Sequence, residues 1–189
     1  MKNPFKSFDN LFINLINKRM NNKFFSFLFY NITNLGGPMF LIGLVIILFI
    51  LEDNMRSLGF EIACALIVSS IIVQVLKRTF SRNRPYWILK NLNTYGIDLS
   101  DYSFPSGHSA ASFSTCTIIA LNYPKIALFV IFIGFLVAIS RIYLAVHYPT
   151  DVLAGIIIGV ISSLIVHYKL YELISTYIQN NFLGGRVLW

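Results

Sequence analysis

The chain has 189 residues, of which 56% are hydrophobic and 12% are charged, and its formal net charge is +7. This composition gives more apolar side chain than a soluble domain of the same length can bury, which excludes an ordinary water-soluble protein. The positive charge does not indicate nucleic-acid binding, because no basic amphipathic element with interleaved aromatic residues lies outside the apolar segments. We therefore predict an all-α integral membrane protein with no nucleic-acid partner.

The N-terminal residues 1–22 mix apolar and polar side chains. Apolar residues recur there at helical spacing among Lys and Asn, namely Phe5, Phe8, Leu11, Phe12, Leu15 and Ile16. The pattern predicts either an interfacial helix that lies on the membrane or the first turn of a membrane helix. No removable signal peptide is predicted, because no continuous apolar core precedes a small-residue cleavage site.

Long apolar segments follow in chain order. Five are clear, at Pro38–Leu51, Phe60–Leu76, His108–Asn122, Lys125–Val146 and Asp151–Tyr171, and a weaker sixth covers Phe24–Thr33. Some are shorter than a lone spanning helix, so polar residues at their ends are expected to continue the helices. We predict a six-helix transmembrane bundle in which residues 1–189 form one membrane-embedded domain. The sequence does not decide whether residues 24–33 span fully.

Several conspicuous residues receive a structural interpretation. Cys64 and Cys116 lie inside apolar segments and are predicted to be small core residues, without a disulfide or a metal. His167 lies near the end of the last apolar segment, and we expect it to be structural. Gly155 and Gly159 have the spacing of a close helix contact, which we expect within the monomer more than at a dimer face.

Three polar clusters stand at the boundaries of the apolar segments, where ionisable groups are costly and usually functional. Residues 77–85 have the sequence Lys-Arg-Thr-Phe-Ser-Arg-Asn-Arg-Pro, residues 105–108 have Pro-Ser-Gly-His, and residues 140–151 run from Ser-Arg to Asp151. Taken singly, they suggest a basic stop beside a helix, a capped helix start, and an ion pair between two helices. Their order and spacing together are far more specific.

In order, the clusters form a three-part signature. Its parts are Lys77 with Arg84-Pro85, then Pro105-Ser106-Gly107-His108, then Ser140-Arg141 with His147 and Asp151. With these residues the chain resembles the type 2 phosphatidic acid phosphatase (PAP2) superfamily, and it departs from the signature at no position. The resemblance is to a small bacterial member. It implies a membrane lipid phosphatase that needs no metal and no other cofactor.

The resemblance gives each signature residue an expected role. His147 is the expected nucleophile, which forms a phosphohistidine that water hydrolyses. Asp151 is expected to accept a hydrogen bond from the other ring nitrogen, and His108 to protonate the leaving oxygen. The expected phosphate-binding residues offer positive charge and hydrogen-bond donors, and they are Lys77, Arg84, Ser106, Gly107 and Arg141. The signature contains only one carboxylate, whereas a metal-dependent phosphatase needs several.

The distribution of Lys and Arg predicts the orientation. Six crossings would place both termini on one side and residues 77–105 and 141–151 on the other. The side of the termini carries nine of the fifteen cations, and the other side keeps three once Lys77, Arg84 and Arg141 are assigned to phosphate binding. The positive-inside rule then predicts cytoplasmic termini and an extracytoplasmic active site in the cell membrane. Asp98 and Asp101, in the loop between the first two clusters, are expected to face solvent.

The expected substrate is a lipid phosphate, because the loops are short and the aromatic residues near the site suit the headgroup level; these are Tyr86, Trp87, Tyr95 and Tyr102. The family implies undecaprenyl pyrophosphate, phosphatidylglycerophosphate, phosphatidic acid or diacylglycerol pyrophosphate. We favour undecaprenyl pyrophosphate, which needs an extracytoplasmic site and a compact enzyme.

Three other functions compete with this interpretation. Phosphoryl transfer to another acceptor stays open, since a phosphohistidine can react with an alcohol as well as with water. A vanadium-dependent haloperoxidase, which resembles the same family, is disfavoured by the apolar spans. A non-catalytic lipid transporter or binding protein is disfavoured by the intact signature. The sequence does not decide the lipid, the pH optimum or the oligomeric state.

Overall fold

A computed structural model describes residues 5–51, 53–171 and 173 of the chain. Within these residues the secondary structure is helical, and no strand occurs among them. The predictions that concern residues 1–4 and 174–189, including the location of the two termini themselves, lie outside the described residues.

Eight α-helices follow one another in chain order: α1 (Lys6–Ile13), α2 (Lys23–Ile32), α3 (Pro38–Ile50), α4 (Asp53–Phe80), α5 (Pro85–Ile88), α6 (Gly107–Asn122), α7 (Ala127–Tyr143) and α8 (Pro149–Ile165), counted over the part of the chain that the structure describes. A π-helical turn, Asn14–Arg19, continues α1, and a second, Val166–Leu170, continues α8. Turns of 3₁₀ helix cover Thr33–Gly36 and Pro124–Ile126. Proline starts α3, α5 and α8, where the missing N–H is not needed.

The centre of the bundle is α6, which packs against α4, α7 and α8. Its contact with α8 is close because two glycines of α8 face it. A Cβ atom added at Gly155 would lie 2.5 Å from the carbonyl oxygen of Ser106, and one at Gly159 would meet the carbonyl oxygen of Ala110. The predicted small-residue contact is therefore confirmed, and it lies within the chain.

The structure contains helices that are long and apolar enough to cross a membrane. Among the described residues these are Asn54–Ile88, Pro124–Tyr143 and Pro149–Leu170, and a further pair, Lys23–Gly36 with Pro38–Ile50, passes the same test together but is bent by 53°. The chain is thus an all-helical membrane protein. The predicted count of six crossings is not confirmed.

The first apolar segment, α2, lies at one end of the bundle. Near its start, the Ser26 hydroxyl is 2.9 Å from the Tyr143 hydroxyl, and just after its end, Thr33 Oγ1 accepts a hydrogen bond of 2.6 Å from Arg141. Both partners belong to the last turn of α7, whereas the two ends of a crossing helix would contact opposite ends of its neighbours. This packing does not fit the predicted crossing by Phe24–Thr33, because Ser26 and Thr33 both find their partners at a single end of α7.

A buried carboxylate holds the opposite end of the bundle together. Glu61 of α4 lies 2.5 Å from His167 Nδ1 and accepts a hydrogen bond of 2.8 Å from Asn122 at the end of α6. Because these contacts join α4, α6 and the turn after α8, they agree with the structural role predicted for His167.

Candidate active site

A cavity of about 430 Å³ opens at the end of the bundle where α4 ends and α6 begins. Its wall includes residues from all three sequence clusters: Lys77, Arg84, Gly107, His108, Arg141 and His147. These positions are far apart in the chain, so the tertiary fold assembles them. The other two signature residues that were assigned a role, Ser106 and Asp151, are fully buried behind this wall.

His147 lies in the turn between α7 and α8, and its side chain is buried. Its Nδ1 is 2.7 Å from the carbonyl oxygen of Ser103, which can only accept, so Nδ1 carries the proton and Nε2 carries the lone pair. Nε2 lies 3.4 Å from Arg84 Nη1. Burial, followed by the charges of Arg141, Arg84 and Lys77, holds the pKa of His147 well below its usual range. The imidazole is therefore neutral, as a nitrogen nucleophile must be.

Asp151 does not make the hydrogen bond expected from the sequence. Its Oδ2 lies 3.8 Å from His147 Nδ1, beyond hydrogen-bond distance. The carboxylate instead accepts from the backbone N–H of Tyr148 at 2.8 Å, and also from the Ser103 hydroxyl and from Arg82 Nη1. The carbonyl of Ser103 thus occupies the position beside the imidazole that was expected for Asp151. The Asp151 carboxylate in turn fixes Ser103 by accepting a hydrogen bond from its hydroxyl.

Arg84 and Lys77 share one carboxylate at the cavity wall. Arg84 donates through Nη2 to Asp101 Oδ1 at 2.5 Å, and Lys77 Nζ bonds to Asp101 Oδ2. Arg84 is further fixed by a 2.8 Å hydrogen bond from Nη1 to the carbonyl of Val146. Burial raises the pKa of Asp101, but Lys77 and Arg84 outweigh it and lower the pKa to about 2. Asp98 and Asp101 are both exposed, as expected, with 53% of the Asp101 side chain accessible. The sequence did not predict that Asp101 also pairs with Lys77 and Arg84.

Arg141 is buried and only partly satisfied. Its Nη1 donates to Thr33, but its Nε has no hydrogen-bond partner, and no carboxylate pairs with it in the described part of the chain. A buried guanidinium without a paired anion is costly, and an anion bound in the adjacent cavity would offset that cost.

The start of α6 presents backbone more than side chain to the cavity. Gly107 is the first helical residue, and it and His108 line the cavity, where the N–H groups of a first turn can bind an anion. The Ser106 hydroxyl is turned away, 2.8 Å from the Ser109 hydroxyl, and it caps the helix by accepting from the Ser109 N–H. The structure therefore does not bring the Ser106 hydroxyl to the phosphate position that the sequence suggested.

The remainder of the cavity wall is largely apolar. It is formed by side chains of α3, α4 and α6, among them Leu41, Ile42, Leu66, Val73, Ala110 and Ala111. On α4 the lining extends from Lys77 back to Leu66, about 16 Å along the helix axis at the rise of an α-helix. The cavity thus joins a cationic head to an extension that is mostly apolar, with Ser69, Ser70 and Gln74 of α4 as its polar members.

Four residues beside the site were not found from the sequence: Asp9, Arg82, Asp101 and Ser103. Ser103 and Asp101 precede the Pro-Ser-Gly-His cluster closely, but nothing in their type marks them as partners of His147 or Arg84. Asp9 is the one of these four that the sequence weakly indicates, because it is the only acidic residue before Glu52. A lone acid in an apolar and basic segment is expected to have a cationic partner.

Within the described residues, no group of three or more His, Cys, Asp or Glu side chains is placed to hold a metal ion.

Comparisons with known proteins agree with this geometry. The family model described as "PAP2 superfamily" matches residues 58–175. The chain is 33% identical over 127 residues, 67% of its length, to the bacitracin transport permease protein BcrC of Bacillus licheniformis. It is 27% identical over 113 residues, 59% of its length, to an undecaprenyl-diphosphatase of Sulfolobus acidocaldarius. The matches span 63% and 55% of these two relatives, less than two thirds of either.

A solved structure shows a similar fold over most of the chain. The crystal structure of Aquifex aeolicus LpxE superposes with a TM-score of 0.75 and 30% sequence identity, covering 84% of this chain and 93% of that one. The matched family model and this likeness include the helices that carry all three clusters. The chain therefore belongs to the PAP2 superfamily.

Proposed function

We propose that the protein is a membrane phosphatase that removes a phosphate group from a lipid, without a metal, through a phosphohistidine on His147. The observation that carries the proposal is the state of His147. Its Nδ1 donates to a carbonyl, which leaves the Nε2 lone pair beside Arg84 in a cavity walled by cations. Independence from metals is carried over from the family resemblance.

In the first step, Nε2 of His147 forms a bond to phosphorus while the bond from phosphorus to the leaving oxygen breaks. His108, on the cavity wall, must enter this step as the imidazolium, which the bound phosphate anion stabilises, and it donates its proton to that oxygen, which leaves as an alcohol or a phosphate. In the second step, His108 accepts a proton from water, the water oxygen bonds to phosphorus, and the phosphorus–nitrogen bond breaks. Inorganic phosphate is released, and both imidazoles return to their starting states.

The cations stabilise the charge on the transferring phosphoryl group. Lys77, Arg84 and Arg141 approach the cavity from different elements, so they can contact different equatorial oxygens. The unpaired Nε of Arg141 and the first N–H groups of α6 supply further donors. The same charges disfavour protonation of His147, so one set of residues binds the phosphate and keeps the nucleophile neutral.

The shape of the cavity supports a lipid substrate, because an apolar extension follows directly on the cationic head. We favour undecaprenyl pyrophosphate, with phosphatidylglycerophosphate and phosphatidic acid as alternatives. The name of one relative, an undecaprenyl-diphosphatase, supports the first choice. The name of the other, a bacitracin transport permease protein, refers to transport and not to hydrolysis. Measurement of turnover separates these functions.

The test is phosphate release by the purified protein in lipid with EDTA, on each of the three lipids, beside His147→Ala and His167→Gln. We expect one lipid to be hydrolysed well above the others, His147→Ala to lose at least about a thousandfold in kcat, and the control His167→Gln to stay active. Activity that EDTA abolishes, or that survives in His147→Ala, would overturn the mechanism. Lipid binding without turnover would favour the transporter, and a phosphorylated acceptor in place of phosphate would show transfer.

We further propose that residues 5–36 remain at the active-site end, and that α3, α4, α6, α7 and α8 are the crossing helices of a single phosphatase domain. The contacts of α2 with Tyr143 and of the following 3₁₀ turn with Arg141 support this arrangement. It moves four described cations, Lys6, Lys18, Arg19 and Lys23, from the predicted cytoplasmic side to the side of the active site. The positive-inside rule therefore no longer favours an extracytoplasmic site, and that orientation rests on the family resemblance.

Labelling of single cysteines in intact cells tests this topology, in a chain whose Cys64 and Cys116 are replaced by serine. With an impermeant thiol reagent, we expect Lys6→Cys and Lys90→Cys to be labelled and Lys125→Cys to be protected. Lys6→Cys and Lys90→Cys on opposite sides would restore the six-crossing prediction. Labelling of Lys125→Cys alone would place the active site in the cytoplasm.

A further inference from the structure

The N-terminal segment, defined here as residues 5–20, packs against both loops that carry active-site residues. It comprises α1 and the π turn after it, and it lies outside both the signature and the residues matched by the family model. Two of its polar side chains, Asp9 and Asn17, are almost completely buried. Buried polar groups require partners, and the partners of these two flank His147.

Asp9 connects α1 to the start of α8. Its carboxylate accepts hydrogen bonds from the Thr150 N–H at 3.1 Å and from the Thr150 hydroxyl at 2.9 Å, and it pairs with Arg82 Nη2 at 2.7 Å. The same guanidinium donates through Nη1 to Asp151 and lies 3.9 Å above the ring of Tyr148. Arg82 is therefore held between a carboxylate of α1 and a carboxylate of α8.

Asn17 connects the π turn to the end of α7. Its Nδ2 donates to the carbonyl of Tyr143 at 2.6 Å and to the carbonyl of Asn93 at 2.9 Å. Asn93 returns two hydrogen bonds of 3.0 Å, from its backbone N–H to Asn17 Oδ1 and from its Nδ2 to the Asn17 carbonyl. The reciprocal pair fixes the π turn to the loop after α5 as well.

These contacts bracket the turn that presents His147. Because α7 ends at Tyr143 and α8 begins at Pro149, the N-terminal segment holds that turn near both of its ends. Arg82 supplies a second route, since its carbonyl accepts a 2.8 Å hydrogen bond from the N–H of Ser103. The carbonyl of Ser103 in turn holds His147 Nδ1 at 2.7 Å.

We propose that the N-terminal segment is a positioning element for the nucleophile, with Asp9 and Asn17 as its positioning residues. The inference rests on the catalytic role proposed for His147. In-line attack needs the nitrogen at a fixed distance and angle from phosphorus, and small displacements slow such steps greatly. No residue of the segment lines the cavity, so we expect it to affect the chemical step more than substrate binding.

The outer face of the segment explains what keeps it in place. Phe5, Phe8 and Leu11 are exposed, whereas Asp9 and Asn17 face the protein. Ile13 is buried beside them, and Lys6, Lys18 and Arg19 are exposed on the same outer face as the apolar residues. An outer face that mixes apolar and basic side chains suits the headgroup level of a bilayer. The lipid is thus expected to press the segment against the loops, so the test uses protein in lipid nanodiscs.

The test compares Asp9→Asn and Asn17→Ala with Asp98→Asn, which changes an exposed carboxylate in a loop at the same end of the bundle. We expect kcat to fall by at least about tenfold in the first two variants, with KM changed by less than about twofold, and no change in the control. Asp9→Glu keeps a carboxylate for Arg82 and Thr150, and we expect it to recover part of kcat.

Wild-type kcat in both Asp9→Asn and Asn17→Ala would overturn the inference, as would a rise in KM at unchanged kcat. If those variants do not fold, Thr150→Val removes the hydroxyl that donates to Asp9 and accepts from Arg82 Nη1, while the Thr150 N–H and the ion pair of Asp9 with Arg82 remain. We then expect a smaller fall in kcat, and an unchanged kcat would still overturn the inference. If the wild type hydrolyses no lipid, the proposed function fails separately. Positioning is then measured by the rate at which diethyl pyrocarbonate carbethoxylates His147. An equal rate in the wild type and in Asp9→Asn would refute the positioning role.

Discussion

Asp101 pairs with Arg84 inside the cavity, with Oδ1 of the carboxylate 2.5 Å from Nη2 of the guanidinium. Its second oxygen bonds to Lys77. Two of the cations proposed to bind phosphate therefore already hold an anion of the protein itself. A substrate phosphate must displace this carboxylate or share the cations with it.

Asp101→Asn tests this competition. We expect KM for the lipid and the inhibition constant of inorganic phosphate to fall about three- to tenfold, because the variant removes a negative charge that competes for Lys77 and Arg84. With its pKa held at about 2, Asp101 is charged throughout the neutral range, so the effect should be constant from about pH 5 to 8. A higher KM would instead mean that Asp101 mainly orients Arg84.

The neutral state of His147 predicts a pH dependence of stability. Its pKa in the folded protein lies well below the usual range, so below about pH 6.5 the unfolded chain takes up a proton that the folded chain does not. This contribution lowers stability as the pH falls, by up to about 1.4 kcal/mol per pH unit. We expect His147→Gln to show a shallower decline than the wild type between about pH 7 and 5, by thermal unfolding in detergent. Parallel curves would show that the folded imidazole protonates normally.

Arg82→Lys separates charge from geometry in the network around Asp151. Lysine keeps the charge, but it lacks the planar fork that lets Arg82 reach Asp9 and Asp151 at once. Because one buried carboxylate loses its partner, we expect a loss of roughly 2–4 kcal/mol in unfolding free energy and a lower kcat. The matched control is Arg78→Lys, at an exposed position in the last turn of α4. Equal stability of the two variants would show that water replaces the lost contact.

Gly159→Ala tests the close approach of α6 and α8. The added Cβ would meet the carbonyl oxygen of Ala110 and lie 2.9 Å from the N–H nitrogen of Ser114, so the helices must separate. Overpacking of this kind costs about 1–3 kcal/mol, and we expect reduced activity as well, because α6 and α8 carry His108 and Asp151. The control, Gly43→Ala, adds the same atom where nothing lies within 4 Å. The melting temperatures of both variants decide the prediction, which fails if they shift equally.

The membrane-crossing helices were largely predictable, because long apolar segments indicate contact with lipid. The predicted segment Phe60–Leu76 lies inside α4, which continues through polar residues to Phe80, as expected for a helix whose end enters the site. The segment Phe24–Thr33 is also helical, but it packs at one end of the bundle. Hydropathy could not show this, because an apolar helix that lies at the interface and one that crosses can have similar composition.

The sequence by itself determined the family and the types of residue at the cavity, because the three clusters have a spacing that few other sequences share. Only the tertiary structure decided which groups touch: Ser103, and not Asp151, holds the imidazole of His147, and Asp101 pairs with Arg84. The physical reason is that hydrogen bonds act over about 3 Å, so a partner is chosen by how separate loops approach one another in space. The order of residues along the chain does not show which loops approach one another.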